Sequence, residues 1–235
     1  MKHLKMILLF VLLILAGTIY AYTRAVPTVQ WGDAALEWAF TQADQHPEKM
    51  LISVIDSAQE TLDIAIYSLT YPDIVAAIKK AAARGVSVRI ITDQSQSKGK
   101  SQDEALKILG SAGIPIKVNT HSGLMHIKMT IADGKVATTG SYNYSKAAST
   151  TNDEVLVVLR GEEVAQSFAA QFNAMWDDQK GFAPIDRYIA MPEAAASPFS
   201  SCAEAKANGK APVHRGDPGY NSKLDGDGDG IACEN

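Results

Sequence analysis

HIKMTIADGKVATTGSYN, from His126 to Asn143, is the stretch whose reading decides the fold. His126 to Ile131 alternates polar and apolar residues, Asp133-Gly134 is a tight-turn pair, and Val136 to Thr139 resumes an extended pattern, so the stretch reads as a β-hairpin. Period-two alternation puts His126, Lys128 and Thr130 on one side of the first strand and Ile127, Met129 and Ile131 on the other, making one face chemical and the other core. Ser141 and Asn143 again share a side. An imidazole, a fixed cation and two polar groups can thus converge on one small anion.

Working outward, Thr61 to Ser68 (TLDIAIYS) reads as a strand buried on both faces, Pro72 to Ala83 as a helix ending near Arg84-Gly85, and Val86 to Thr92 as a second buried strand. This order implies a right-handed crossover and parallel neighbours. Pro47 opens an earlier helix to about Ala58, with proline in the first turn. Asp33 to Gln42 is Ala-rich and predicted helical. Gln94 to Ser101 is a polar loop whose Lys98 and Lys100 either touch phosphates or keep it soluble. Gln102 to Ala112 is a helix, Ile114 to Val118 a short strand, and His121 to Leu124 a loop in which His121 is a surface residue. Ser145 to Asn152 is a loop or a short helix, with a helix start that could face an anion. Asp153 to Arg160 is a strand, and Glu162 to Asp178 a closing helix with Val164, Phe168, Phe172, Met175 and Trp176 inward. The predicted class is α/β, with a mixed, largely parallel sheet flanked by helices.

The spacing His126-x-Lys128-x4-Asp133-x6-Gly140-Ser141-x-Asn143 resembles the HKD signature of the phospholipase D superfamily and matches it at all six fixed positions. The resemblance covers about Gln45 to Asp178. With a single motif and no internal repeat, the chain resembles the small bacterial nuclease branch, in which two identical chains pair their motifs. The resemblance implies a homodimer and phosphodiester hydrolysis with no cofactor in catalysis. His126 would be nucleophile in one chain and general acid, then base, in the other. Lys128 and Asn143 would hold the non-bridging oxygens, with Ser141 orienting them, and Glu154 would fix the tautomer of the histidine. Asp133 would be structural, in the turn.

Charge is unevenly spread. The net charge is -4, yet residues 79 to 146 sum to +7, while 33 to 78 and 147 to 190 sum to -7 and -4. A basic motif segment on an acidic body suits a polyanion, nucleic acid or anionic lipid, although a solvated surface would give the same count. The 46% hydrophobic content excludes a disordered chain. Residues 1–25 hold Lys2 and Lys5 before an apolar run from Met6 to Ala16, which reads as an export signal or a retained membrane anchor. The expected location is therefore periplasmic or extracellular, either free or tethered to the outer face of the cytoplasmic membrane. The catalytic domain is assigned to residues 33–190 and a linker to 191–201.

Residues 202–235 form a separate unit with both cysteines of the chain, one at each end. Asp225, Asp227 and Asp229 alternate before Gly230, and carboxylates so close need a hard cation, calcium, to relieve their repulsion. Glu234 falls tenth from Asp225, which departs from the EF-hand. The pattern looks like the Excalibur domain, an extracellular calcium-binding module with a DxDxDGxxCE motif. That resemblance implies Ca2+ held by Asp225, Asp227, Asp229 and Glu234. With export, Cys202 and Cys233 should form a disulfide closing a unit too small to hold a core alone.

The leading functional reading is an exported, metal-independent endonuclease cutting DNA or RNA. The alternatives are a phospholipase D acting on phosphatidyl lipids, cardiolipin included, and a cell-surface binding module with a spent enzyme fold. The complete set of His126, Lys128, Ser141, Asn143 and Glu154 counts against the last, because binding alone does not demand acid-base groups.

Overall fold

A computed structural model of the chain describes residues 28–32, 34–188, 199–214, 217, 219–227 and 230–234. The expected leader over 1–25, most of the 191–201 linker and Asp229 lie outside the described residues. The chain divides into two compact units, Met1–Ile189 and Ala190–Asn235.

The first unit is built on β1 (Thr28–Trp31), β2 (Ala34–Phe40), α1 (Pro47–Ser57), β3 (Thr61–Ile66), α2 (Pro72–Ala83), β4 (Ser87–Thr92), α3 (Lys100–Gly110) and β5 (Ile116–Asn119). It continues with β6 (Lys128–Ala132), β7 (Val136–Gly140), α4 (Lys146–Thr150), β8 (Val155–Arg160), α5 (Glu162–Asp177) and β9 (Phe182–Pro184). The nine strands form one sheet in the order β1-β2-β8-β7-β6-β3-β4-β5-β9. β3, β4 and β5 run parallel, joined through α2 and α3 as the strand-helix-strand pattern predicts. The other pairings are antiparallel. The sheet is thus mixed, and its parallel part is the β3-β4-β5 trio.

Helices cover both faces. α1, α2 and α3 bury Leu51, Val54, Ile55, Ile74, Ile78, Leu106 and Leu109 against Ile64, Ile66, Ile90, Leu156 and Val158. α5 closes the opposite face with Ala165, Phe172 and Met175 on Ala65, Ile91, Met129, Ile131 and Ala137. Each fully buried Leu or Ile is stabilised by about 1.5–3 kcal/mol relative to exposure, so the two clusters dominate the packing. Central strands are therefore buried on both sides, which is why β3 reads as a nearly continuous apolar run.

Three expectations need correction. The helix expected over Asp33 to Gln42 is replaced by strand β2 over Ala34–Phe40, paired antiparallel with β8 from Ala35↔Arg160 to Phe40↔Val155, and a single 3-10 turn, Thr41–Ala43, follows it. Alanine favours helix intrinsically, but the waiting edge of β8 and the alternation through Leu36, Glu37 and Trp38 override that preference. Thr130 does not belong to a chemical face, since it is fully buried and its hydroxyl bonds Tyr144 Oη at 2.6 Å. The reactive side of β6 ends at Lys128 because Thr130 is covered by Tyr144 and α1 packs on the strand. Val164 is not inward but exposed, whereas Phe172 and Met175 are buried.

The β6–β7 turn is a primed one. Asp133 and Gly134 have φ of 54° and 62°, and the Lys135 amide donates to Ala132 O at 3.0 Å.

The second unit contains α6 (Cys202–Ala207) and the antiparallel pair β10 (Val213–His214) and β11 (Ile231–Ala232). Its small core is Ala205, Val213, Ala232 and Cys233. Cys202 and Cys233 are disulfide-bonded, with Cα atoms 5.2 Å apart, as expected for a unit too small to hold a core alone.

Candidate active site

The sequence brackets its site at one edge of the sheet. β3, β4 and β5 end there, β6 begins there, and the β7–β8 register of Gly140↔Leu156 puts Ser141 beside the start of β8. After Gly140 the chain turns across this edge: the Ser141 and Tyr142 amides donate to Val155 O, and the Tyr144 amide donates to Ser68 O at 3.0 Å. Residues 141–144 therefore bridge from β8 to the end of β3, over the start of β6. Gly140 makes the turn possible. Its φ is +134°, and a Cβ there would lie 2.1 Å from Val155 O.

Lys128 sits at the centre and is only 7% exposed. Its Nζ donates to His126 O at 2.7 Å and lies 3.0 Å from His126 Nδ1. Burial pushes the ammonium pKa down, and the negative charge of Glu154 opposes that effect. With an ammonium at Lys128, Nδ1 is the acceptor, and a neutral His126 ring carries its hydrogen on Nε2. His126 itself is exposed, just ahead of β6.

Ser141 Oγ donates to Glu154 Oε2 at 2.5 Å and accepts from the Val155 amide at 3.2 Å. The other Glu154 oxygen accepts from Asn152 Nδ2 at 3.2 Å. Within one chain the Glu154 carboxylate is thus taken by Ser141 and Asn152 and does not reach His126. Asn143 Oδ1 is buried and has no hydrogen-bond partner among the described residues. A buried amide oxygen left unpaired is costly unless a donor arrives to bond it.

Asp133 lies at the far end of β6. Its carboxylate accepts from the backbone amides of Gln59, Glu60 and Thr61 at 2.8–3.2 Å. Burial works to raise its pKa, but the three amides prevail and hold it below the usual carboxylate range. It ties the hairpin to the α1–β3 connection.

Several supporting residues carry no sequence signal of their own. Tyr67, at the end of β3, packs its ring against His126 with centroids 4.5 Å apart and lies 5.1 Å beneath Lys128 Nζ. Buried Gln102 donates to Thr92 Oγ1 at 2.8 Å and to Tyr67 O at 3.3 Å, while its oxygen accepts from the Leu69 amide at 2.9 Å. Asp93 accepts from the Ser95 hydroxyl and from the amides of Ser95, Gln96 and Met125, which pins the loop entering the motif. Burial alone would raise its pKa, yet these bonds hold it down. A polar residue directly after a buried strand is the one clue to Asp93; Tyr67 and Gln102 offered none.

The rim is mixed. Leu124 and Ile127, either side of His126 in sequence, are 58% and 36% exposed. Phe40, 46% exposed, borders a cleft of about 220 Å³ with Ser141, Asp153 and Glu154. Lys98 and Lys100 are exposed beyond β4, and His121 packs edge-on against Phe182.

Residues 51–176 match the family described as cardiolipin synthase, PLD-like domain. The chain belongs to that family of the phospholipase D superfamily. Residues 199–234 match the Excalibur calcium-binding domain. The mitochondrial cardiolipin hydrolase of Chlamydomonas reinhardtii is 33% identical over 126 residues, 54% of this chain and 56% of that protein. The phospholipase D of Rickettsia bellii is 35% identical over 120 residues, 51% and 59% of the two chains. The chain thus spans a little over half the length of these relatives. Among solved structures, the phospholipase D family member Nuc from Salmonella typhimurium superposes with a TM-score of 0.61 at 28% identity, covering 65% of this chain and 99% of Nuc. NucT from Helicobacter pylori gives 0.55 at 29%, covering 60% and 96%.

In the Excalibur unit, Asp225 is 7% exposed, and its Oδ2 accepts from Tyr220 Oη and the Gly230 amide. Carboxylates are the hard oxygen donors calcium prefers. Among the described residues, which exclude Asp229, no three metal-binding side chains cluster. Likewise no helix among them is long and apolar enough to cross a membrane.

Proposed function

We propose that this chain is an exported phosphodiester hydrolase, acting first on nucleic acid, through a phosphohistidine at His126. The observation that carries the reading is the buried Lys128 ammonium held against the His126 imidazole at a strand edge. That pairing puts a cation and a nucleophile on one phosphoryl group, and Asn143 would donate from its side-chain NH2 to a non-bridging oxygen.

In the free chain the Lys128 ammonium bonds Nδ1, so the neutral His126 ring carries its hydrogen on Nε2 and is not yet a nucleophile at that nitrogen. Attack through Nε2 requires the opposite tautomer. An incoming phosphate draws the Lys128 ammonium onto its own oxygen, frees Nδ1 to hold the proton, and so bares Nε2 for phosphorus. The P–O bond to the leaving alcohol breaks as N–P forms, and a second histidine, entering as imidazolium, protonates the departing oxygen. That same group then takes a proton from water, whose attack on phosphorus releases His126. One imidazole cannot be nucleophile and acid together, so the reading requires a homodimer. Ser141 and Glu154 position the wall of the site, and the charge of Glu154 helps keep Lys128 protonated. Lys128 and imidazolium supply the positive charge, so turnover needs no divalent ion. Ca2+ belongs to the tail, on Asp225, Asp227, Asp229 and Glu234.

Nucleic acid comes first because the motif segment is basic and because Nuc and NucT, compact chains, are matched almost end to end. Lipid is the second reading, favoured by exposed Leu124, Ile127 and Phe40 and by the likeness to cardiolipin hydrolase. Export fits the disulfide. Residues 1–25 would direct it or tether the protein to the membrane.

Plasmid nicking and phosphatidyl-lipid hydrolysis in excess chelator, each with a His126→Ala control, test these readings. Nicking lost in the variant, with lipid intact, supports the nuclease. Lipid cleavage alone transfers the same roles to a phospholipase, and loss of all turnover in chelator with the first unit folded would sink the mechanism.

A further inference from the structure

We propose that Tyr67 is a positioning residue for this site, its ring serving as the common floor on which the His126 imidazole and the Lys128 ammonium rest. The inference builds on the phosphoryl-transfer reading above and adds the element that aligns its two central groups.

His126 is exposed and precedes the strand, so β6 alone does not fix its ring. One contact to the imidazole comes from Lys128, itself a flexible side chain. The other comes from Tyr67, with centroids 4.5 Å apart and planes at 59°. The same ring lies 5.1 Å from Lys128 Nζ, where an aromatic face attracts a desolvated cation. Tyr67 therefore gives the buried ammonium an aromatic face to rest on and limits the rotation of His126.

The floor is itself held at three points. The Tyr67 amide donates to Ile127 O at 3.0 Å, which ties it to the residue between His126 and Lys128. Gln102 Nε2 and Thr92 Oγ1 donate to its carbonyl. Gln96 Nε2 donates to its hydroxyl at 3.0 Å, from the helical turn that follows β4. So many restraints on a half-buried tyrosine exceed what packing needs, because its ring joins neither hydrophobic core.

The test uses the full chain, Tyr67→Phe, which keeps the aromatic face, and Tyr67→Leu, which removes it. Tyr67→Met, filling the space without a ring, replaces the Leu variant if circular dichroism shows that it does not fold. The probe is bis(4-nitrophenyl) phosphate, a diester with neither base nor acyl chain, and the second readout is the 15N spectrum of the His126 ring, which needs no turnover. Misplacing a reacting group by an ångström costs up to a hundredfold, so the Leu variant should lose roughly tenfold to a hundredfold in kcat with KM within about twofold. The Phe variant should stay close to wild type. The His126 spectrum should show hydrogen on Nε2 in wild type and Phe, and a tautomer mixture in Leu. Wild-type kcat and an unchanged His126 spectrum in the Leu variant would overturn the proposal, as would equal damage in Phe and Leu. A wild-type chain inert toward the diester would count against the hydrolase reading, and the spectrum alone would then decide whether Tyr67 holds His126.

Discussion

Lys128 Nζ lies 3.0 Å from His126 Nδ1 and donates to the carbonyl of the same residue at 2.7 Å, so the buried cation of this site is bonded to the group it is meant to assist. The pair is poised rather than engaged. An anion that competes for the ammonium changes the imidazole tautomer as it binds, which links recognition of phosphate to the making of the nucleophile.

Replacing Lys128 by Met keeps the buried volume and removes the charge. Loss of one charge-stabilising donor costs about a hundredfold to a thousandfold in kcat. Steady-state rates on a simple diester check this, and Lys128→Arg should recover little, because a planar guanidinium does not fit a slot shaped for one nitrogen.

Glu154 bears on the alkaline limit of activity. Burial lowers the Lys128 pKa and the Glu154 charge raises it, so Glu154→Gln leaves the lowering unopposed. The ammonium is then lost at lower pH, and the alkaline limb of kcat/KM should move toward neutrality. A limb that stays put would mean that another group sets it.

Asp133 predicts a stability effect without a chemical one. Three backbone amides converge on its carboxylate, and removing the acceptor with Asp133→Ala should cost about 2–3 kcal/mol in urea unfolding. The sign follows from a folded-state pKa held below the unfolded value of about 3.9. Its contribution is complete above that unfolded value and fades as pH falls through the folded one. Wild type and variant should therefore converge in acid.

The hairpin, the parallel β3-β4-β5 trio and the helices over 47–57 and 72–83 were legible because each rests on local chemistry: alternation, an Asp-Gly turn, a first-turn proline. β2 was not, since its conformation is imposed by β8, more than a hundred residues away. The motif placed His126, Lys128, Ser141 and Asn143 at one edge. It did not reveal that the Glu154 carboxylate is taken by Ser141 and Asn152, nor that Tyr67, Asp93 and Gln102 buttress the edge, because those contacts depend on how three strand ends meet. Both cysteines, by contrast, were readable from their positions at the two ends of the tail.

The tail should be separable from the chemistry. Cys202→Ser breaks a bridge of sequence separation 31, worth about 3–4 kcal/mol to a unit with a four-residue core. Limited proteolysis should then cut within Ala190–Asn235, while turnover by the first unit persists.

The central claim is that His126 becomes covalently bonded to phosphorus. Rapid quenching of the working enzyme with a phosphorus-labelled oligonucleotide, followed by peptide mapping under alkaline conditions that preserve phosphohistidine, tests it directly. Label on the His126 peptide that forms and decays at the rate of turnover is the expected result. Steady turnover with no labelled peptide at any quench time, and inversion at phosphorus, would contradict it.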